Sequence, residues 1–227
     1  KKANGGSLKN YKVIYSNLYS KDVANLKAFW AKRGFKPVFK QVTDDEAFLA
    51  QGDLVVSENS PTVKEILDFM MLWSDNVLAD RLAGLAARAG GYSPNIKGID
   101  TIFRTLLAQF EIDDSKLVVA DASGLSKKNK ITAKLMGELL YKIRKEERYA
   151  LLYQSLPVGG VSGTLQDRFT TTAPSAVGLV RAKTGTLNGT STLAGYVQST
   201  DREYVFVTLA DDIAKGNAAL NKARAAI

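Results

Sequence analysis

Arg181-Ala182-Lys183-Thr184-Gly185-Thr186 is a small polar cluster set where a buried strand is expected. Upstream, Val177-Gly178-Leu179-Val180 is apolar and β-prone. Downstream, residues 190 to 199 and 203 to 209 alternate at period two around the turn-like Ser199-Thr200-Asp201-Arg202. The pattern predicts strands over 178 to 185, 190 to 199 and 203 to 209, paired as an antiparallel sheet. A glycine inside a strand weakens it, and the usual compensation is the close approach of a ligand or another backbone. A cation and a hydroxyl beside that gap suit a ligand carrying a carboxylate. Taken alone, Lys-Thr-Gly is equally compatible with a purely structural strand.

A second cluster, Ser74-Asp75-Asn76, lies between two helical patterns. Val63, Ile66, Leu67, Met70 and Met71 precede it, and Leu78, Leu82, Leu85 and Ala86 follow. The bland account makes Ser74 or Asp75 a helix N-cap, which both residue types favour. Together, Ser-Asp-Asn and a later Lys-Thr-Gly resemble two of the three signature elements of penicillin-recognising serine enzymes, the third being a Ser-x-x-Lys that bears the nucleophile. No serine of this sequence has lysine three positions on, and Ser60 to Lys64 is one residue too long. The 227 residues therefore hold no nucleophile motif of that kind.

Composition narrows the chemistry. A hydrophobic content of 45% is ordinary for a globular chain, enough for one sizeable core or two small domains. With no histidine there is no Ser-His-Asp triad, so a general base must be lysine, a carboxylate or tyrosine. With no cysteine there is neither a disulfide framework nor thiolate chemistry. The net charge of +8, from 31 basic and 23 acidic residues, suits an anionic partner such as a cell-wall polymer. The lysines are scattered, without a basic stripe interleaved with aromatics, which argues against nucleic acid. No apolar run approaches the length of about 20 residues that spans a bilayer. The chain starts on lysine and shows no signal peptide, which gives the expectation of a piece of a longer, processed protein.

Along the chain, residues 1 to 10 read as a polar, Gly-rich end. Tyr11 to Tyr15, Val38 to Val42 and Leu54 to Ser57 read as short strands, with a helix over Asp22 to Arg33 that ends at Gly34. Ser60-Pro61 is expected to open the helix before Ser74. Ile99, Ile102, Phe103, Leu106, Leu107 and Phe110 mark an amphipathic helix, and Leu117-Val118-Val119 a short buried strand. Asp121 to Ser126 is turn-rich, Thr132 is an expected N-cap, and Asn217 to Ile227 is expected to be a helix against the sheet.

Several ordered stretches now resemble one family, the penicillin-binding protein 4 type of D-alanyl-D-alanine carboxypeptidase/endopeptidase. They are Ser60-Pro61 with Ser74-Asp75-Asn76, Asp121-Ala122-Ser123-Gly124-Leu125-Ser126, Leu156-Pro157-Val158-Gly159-Gly160 with Gly163-Thr164-Leu165, and Arg181 to Leu187 running on to Leu193-Ala194-Gly195-Tyr196-Val197. The resemblance implies an α/β (α+β) fold of the β-lactamase/DD-peptidase type, an antiparallel sheet flanked by helices. It implies that residues 1–54 are the tail of an inserted domain and 55–227 the C-terminal part of the penicillin-binding domain, completed by an N-terminal portion carrying Ser-x-x-Lys. Asp121-Ala122 stands where the family usually has Asp-Gly. The implied catalytic residues are Ser74 and Lys183; Asn76, Thr184, Gly185 and Thr186 are implied to bind substrate, the Thr186 N–H as an oxyanion donor. No cofactor or metal is expected. Implied partners are peptidoglycan stem peptides and β-lactam antibiotics, in an exported protein of the periplasm or cell envelope. Two alternatives stand beside this reading: a non-catalytic module that keeps the substrate-strand geometry, and a class A β-lactamase-like protein. Against the latter, the 73 residues before Ser74 hold no nucleophile motif and Glu111-Ile112-Asp113-Asp114-Ser115 lacks the expected Asn.

Overall fold

The computed structural model describes residues 11–16, 18, 20–49, 59–214 and 216–226. The chain divides into two units, Lys1–Asn59 and Ser60–Ile227.

In the first unit, strand β1 (Lys12–Tyr15), helix α1 (Ser20–Ala31), strand β2 (Val38–Gln41) and helix α2 (Asp44–Leu49) follow in order. The strands pair in parallel, Lys12 opposite Val38, with α1 as the crossover. Trp30 packs its ring on Phe35 and Phe39, at centroid distances of 5.2 and 5.7 Å. Gly34 follows α1 at a φ of +76°, a conformation glycine adopts without penalty. The sequence reading had no helix at α2, although its start is a capping box: the Thr43 N–H donates to Glu46 Oε2 at 2.9 Å and the Glu46 N–H to Thr43 Oγ1. The strand expected over Leu54 to Ser57, and the end expected over 1 to 10, lie outside the described residues.

The second unit opens with helix α3 (Val63–Trp73), followed by α4 (Asn76–Ala89), α5 (Ile96–Gln109), α6 (Ala133–Arg144) and the short α7 (Ala150–Gln154). Helix α3 starts two residues later than Ser60-Pro61 suggested. Thr62 is its cap, in a reciprocal box with Glu65, and that pair of side-chain bonds sets the first turn. Leu117-Val118-Val119 is not a buried strand: Val118 makes one isolated bridge to Lys130 and is 48% exposed, having no sheet neighbour.

Strands β3 (Val180–Leu187), β4 (Thr190–Gln198) and β5 (Glu203–Ala210) form the antiparallel sheet in that order, so β3 is an edge. It begins later than 178 because Gly178 sits at a φ of +79°, outside any strand conformation. Period two then separates the faces. Val180, Ala182 and Leu193 point to one, where Leu165 is fully buried with Phe169, Val197 and Phe206 around it. On the other, α6 packs over Val207 and accepts a 2.8 Å hydrogen bond from the Tyr196 hydroxyl at the Leu140 carbonyl. Burial, with the negative charge of Glu203 second, raises the Tyr196 pKa to about 12, so this hydroxyl keeps its proton and its bond. Helix α8 (Asn217–Ala226) packs against β4, as the Ala-rich terminal pattern suggested.

Candidate active site

Where α3 ends, the chain turns through Ser74 in the left-handed conformation, φ 57° and ψ 49°. A non-glycine residue there costs about 1–2 kcal/mol, so the surroundings must hold it. The Ser74 and Asp75 N–H groups both donate to the Met70 carbonyl. Asp75 then caps α4, its Oδ1 accepting the Leu78 N–H at 2.8 Å. Of the two capping candidates, Asp75 takes the role, and the Ser74 hydroxyl is left for the cleft. Gly163 is the fitted neighbour: at φ +57° it lies so close to α3 that a Cβ would stand 2.7 Å from the Leu72 carbonyl oxygen. That contact sets the turn Gly163–Leu165, and with it Thr164, against the end of α3.

The edge strand supplies the opposite wall. The Ala182 N–H donates to the Pro157 carbonyl and the Val180 carbonyl accepts from Gly159, so even-numbered residues of β3 turn their backbone groups away from β4. The N–H and C=O of Thr184 and Thr186 therefore lie on the outer edge. Side chains alternate the other way. The Lys183 ammonium donates to Ser74 Oγ at 2.7 Å, across 109 positions of sequence, and to the Thr184 carbonyl at 3.0 Å. The Thr184 hydroxyl donates to Thr164 Oγ1 at 2.9 Å, and Thr186 Oγ1 accepts from Arg224 of α8 at 3.2 Å. Burial pushes the Lys183 pKa below the ordinary lysine value, and no ion pair offsets it among the described residues.

Ser74, Asn76, Lys183, Thr184, Gly185 and Thr186 all line one cleft of about 1660 Å³. The structure thus brings together every site residue that the sequence singled out. Gly185 has a local reason to be glycine as well: a Cβ there would collide with the hydroxyl of Thr192, its cross-strand partner.

Two carboxylates shape the loop that borders the cleft, and of these Asp80 escaped the sequence reading. Asp80 of α4 accepts the Ala122 and Ser123 N–H groups, each at 2.9 Å, and so fixes the loop beside Ser74. Within that loop Asp121 accepts from the Gly124 and Ser126 N–H groups and from the Asn129 amide at 2.6 to 2.7 Å. Lys127 reaches from its far end to the Asn188 carbonyl in the β3–β4 turn, at 2.6 Å. A carboxylate before Ser and Gly is a recognisable turn former, whereas nothing local marks Asp80 or Arg224. Burial raises the Asp121 pKa, but the bonds from Asn129, Gly124 and Ser126 together outweigh it and leave the carboxyl below its usual 3.8. A depressed carboxylate stabilises the fold above its unfolded pKa and ceases to do so as pH falls through the folded value. Asp121→Ala is expected to cost about 1–3 kcal/mol near neutral pH. In urea unfolding, the gap to the wild type should narrow as pH drops below 3.8; a pH-independent gap would mean that the carboxylate's charge plays no part.

An antiparallel sheet whose edge strand carries Lys-Thr-Gly opposite a Ser-x-Asn helix junction is the arrangement of penicillin-recognising serine enzymes, DD-peptidases and β-lactamases alike. The structure superposes on the crystal structure of penicillin binding protein 4 from Haemophilus influenzae with a TM-score of 0.73 and 28% sequence identity, covering 86% of this chain and 43% of that one. Residues 14–227 match the D-Ala-D-Ala carboxypeptidase 3 (S13) family, and the chain belongs to that family. Among curated relatives it is 36% identical over 188 residues to carboxypeptidase DacB of Mycolicibacterium smegmatis, covering 81% of this chain and 40% of the relative. It is 33% identical over 156 residues to the D-alanyl-D-alanine carboxypeptidase DacB of Haemophilus influenzae, covering 68% and 33%. The chain thus spans between a third and two fifths of these relatives' length.

Proposed function

We propose that this chain is the C-terminal part of a serine D-alanyl-D-alanine carboxypeptidase/endopeptidase, acting on peptidoglycan stem peptides and acylated by β-lactams. The observation that carries the reading is the 2.7 Å bond from the Lys183 ammonium to the Ser74 hydroxyl, inside a cleft bordered by an open strand edge. In this reading a serine of a Ser-x-x-Lys motif, from a portion outside these 227 residues, attacks the carbonyl carbon of the substrate's terminal amide. The C–N bond breaks, the acyl group stays on the serine as an ester, and the terminal D-alanine leaves as an amine that needs a proton. Water then hydrolyses the ester.

Each cleft residue has a task in that sequence. Because the ammonium donates into Ser74 Oγ, the hydroxyl's own proton is directed elsewhere and made more acidic. Ser74 can hand it to the leaving nitrogen and recover one from the nucleophile's side. The Asn76 amide, half-buried at the first position of α4, offers a donor and an acceptor to the substrate's peptide groups. The outward N–H of Thr186 suits the developing oxyanion. No cofactor or metal enters the scheme, and the place of action is the periplasm or cell envelope of an exported protein.

The face of α3 and α4 beside Ser74 supports an additional portion of the same protein. Phe69 and Trp73, four residues apart on α3, are 51% and 60% exposed, Val77 of α4 is 61% exposed, and none of the residues of α3 is buried. Apolar side chains of this size left in solvent suit a cover. Incubation with benzylpenicillin followed by intact-mass measurement tests the proposal. The isolated 227-residue chain should gain no adduct, and the complete protein should gain one on a serine of Ser-x-x-Lys. An adduct on the isolated chain would place the nucleophile wrongly, and none on the complete protein would favour a non-catalytic module.

A further inference from the structure

At the α8 end of the cleft stand two arginines that the acylation scheme leaves unused. Arg224 Nη2 donates to Thr186 Oγ1 at 3.2 Å, and Arg168 Nη2 donates to the Arg224 carbonyl at 3.0 Å, tying the last turn of α8 to the loop after Leu165. Both side chains line the cleft that Lys183, Thr184 and Thr186 line. Among the described residues neither guanidinium makes an ion pair, although Asp167 borders the same cleft. Four other arginines, Arg104, Arg144, Arg148 and Arg202, each hold a carboxylate at 2.6 to 3.1 Å, while Arg33 and Arg181, which lack one among the described residues, lie over the Phe29 and Tyr153 rings. Two like charges left side by side repel, and burial together with the charge of Arg224 depresses the Arg168 pKa. An anion entering the cleft would relieve both.

We propose that Arg224, positioned by Arg168, is a specificity-determining residue that recognises the free carboxylate of the ligand alongside Thr186. This rests on the acylation reading above. A hydroxyl that accepts from a guanidinium turns its own proton away from it, so Thr186 Oγ1 is left to donate to one carboxylate oxygen. The remaining N–H groups of Arg224 are placed to donate to the other, and the arginine fork matches a carboxylate as an ammonium does not. Arg168 acts through Arg224, by holding the backbone from which that side chain projects.

The test compares acylation rates of the complete protein by benzylpenicillin and by its methyl ester, in which the carboxylate is masked. Arg224→Ala is expected to reduce the rate with the acid by about 10- to 100-fold, the range for losing one hydrogen bond to a charged group. The preference for acid over ester should fall by a similar factor. Arg224→Lys should retain part of that preference, since it keeps the charge and loses the fork. Equal losses with acid and ester would show that Arg224 only holds α8 to β3, and an unchanged acid rate would show no role at all; either result overturns the inference. A melting curve for each variant separates these from misfolding. A wild-type protein that reacts with neither compound overturns the acylation reading itself, a different result from a reactive wild type beside an unaffected variant.

Discussion

Lys183→Met in the complete protein is expected to slow acylation by penicillin by about 100-fold or more, the scale of losing a group aimed at developing charge, while the melting temperature rises. The two effects have one cause. Lys183 is half-buried with no counter-ion among the described residues, next to the Ser74 hydroxyl. Its folded pKa is below 10.5, so the folded state binds this proton less tightly than the unfolded state does. The resulting cost is present in full below the folded pKa and disappears as pH rises toward 10.5. Methionine fills nearly the same volume with no charge to desolvate, so it removes the cost, and the gain in melting temperature should shrink in alkaline buffer. Acylation by the wild type should decline on the alkaline side earlier than an ordinary lysine would dictate. If the variant labels within about tenfold of the wild type, the relay through Ser74 is wrong. A lower melting temperature would show that the ammonium contributes more to the fold than its burial costs.

Gly195→Ala should be the most damaging single methyl group in the sheet. Gly195 faces Ala182 across β3 and β4, and a Cβ there would stand 2.6 Å from the Ala182 Cα and against the Arg181 carbonyl. Both obstacles are backbone, so no side chain can swing aside. Overpacking of this kind costs about 1–3 kcal/mol and more where nothing yields, and relief requires β3 to move away from β4. Because Lys183 is the next residue, the shift should also carry its ammonium off Ser74 and reduce acylation in whatever protein remains folded. Gly185→Ala is the internal control. Its obstacle is the Thr192 hydroxyl alone, so Thr192→Ala in the same chain should recover most of the lost stability. Urea unfolding of the variants measures both; a Gly195→Ala protein as stable as the wild type would mean that the strands pair more loosely than their register indicates.

Sequence alone determined whatever depends on neighbours in the chain. Period two over residues 190 to 209 encodes two strands wherever they are placed, and Thr132 caps α6 because its hydroxyl needs only the N–H of Leu135 three residues on. Lys-Thr-Gly and Ser-Asp-Asn were legible as a pair because their order matches one chemistry, not because either fixes a position in space. Only the tertiary structure decided which cap is a cap. Asp75 and Ser74 have equal local credentials, and it is the left-handed turn at Ser74, wedged by Gly163, that frees the hydroxyl for Lys183. The contacts of Asp80, Thr164 and Arg224 were invisible for the same reason. Each residue acts on a partner 20 or more positions away, on Ala122, Thr184 and Thr186 respectively. Such pairings are set by how helices and loops pack on the two faces of the sheet, and a single chain's local pattern carries no record of that packing.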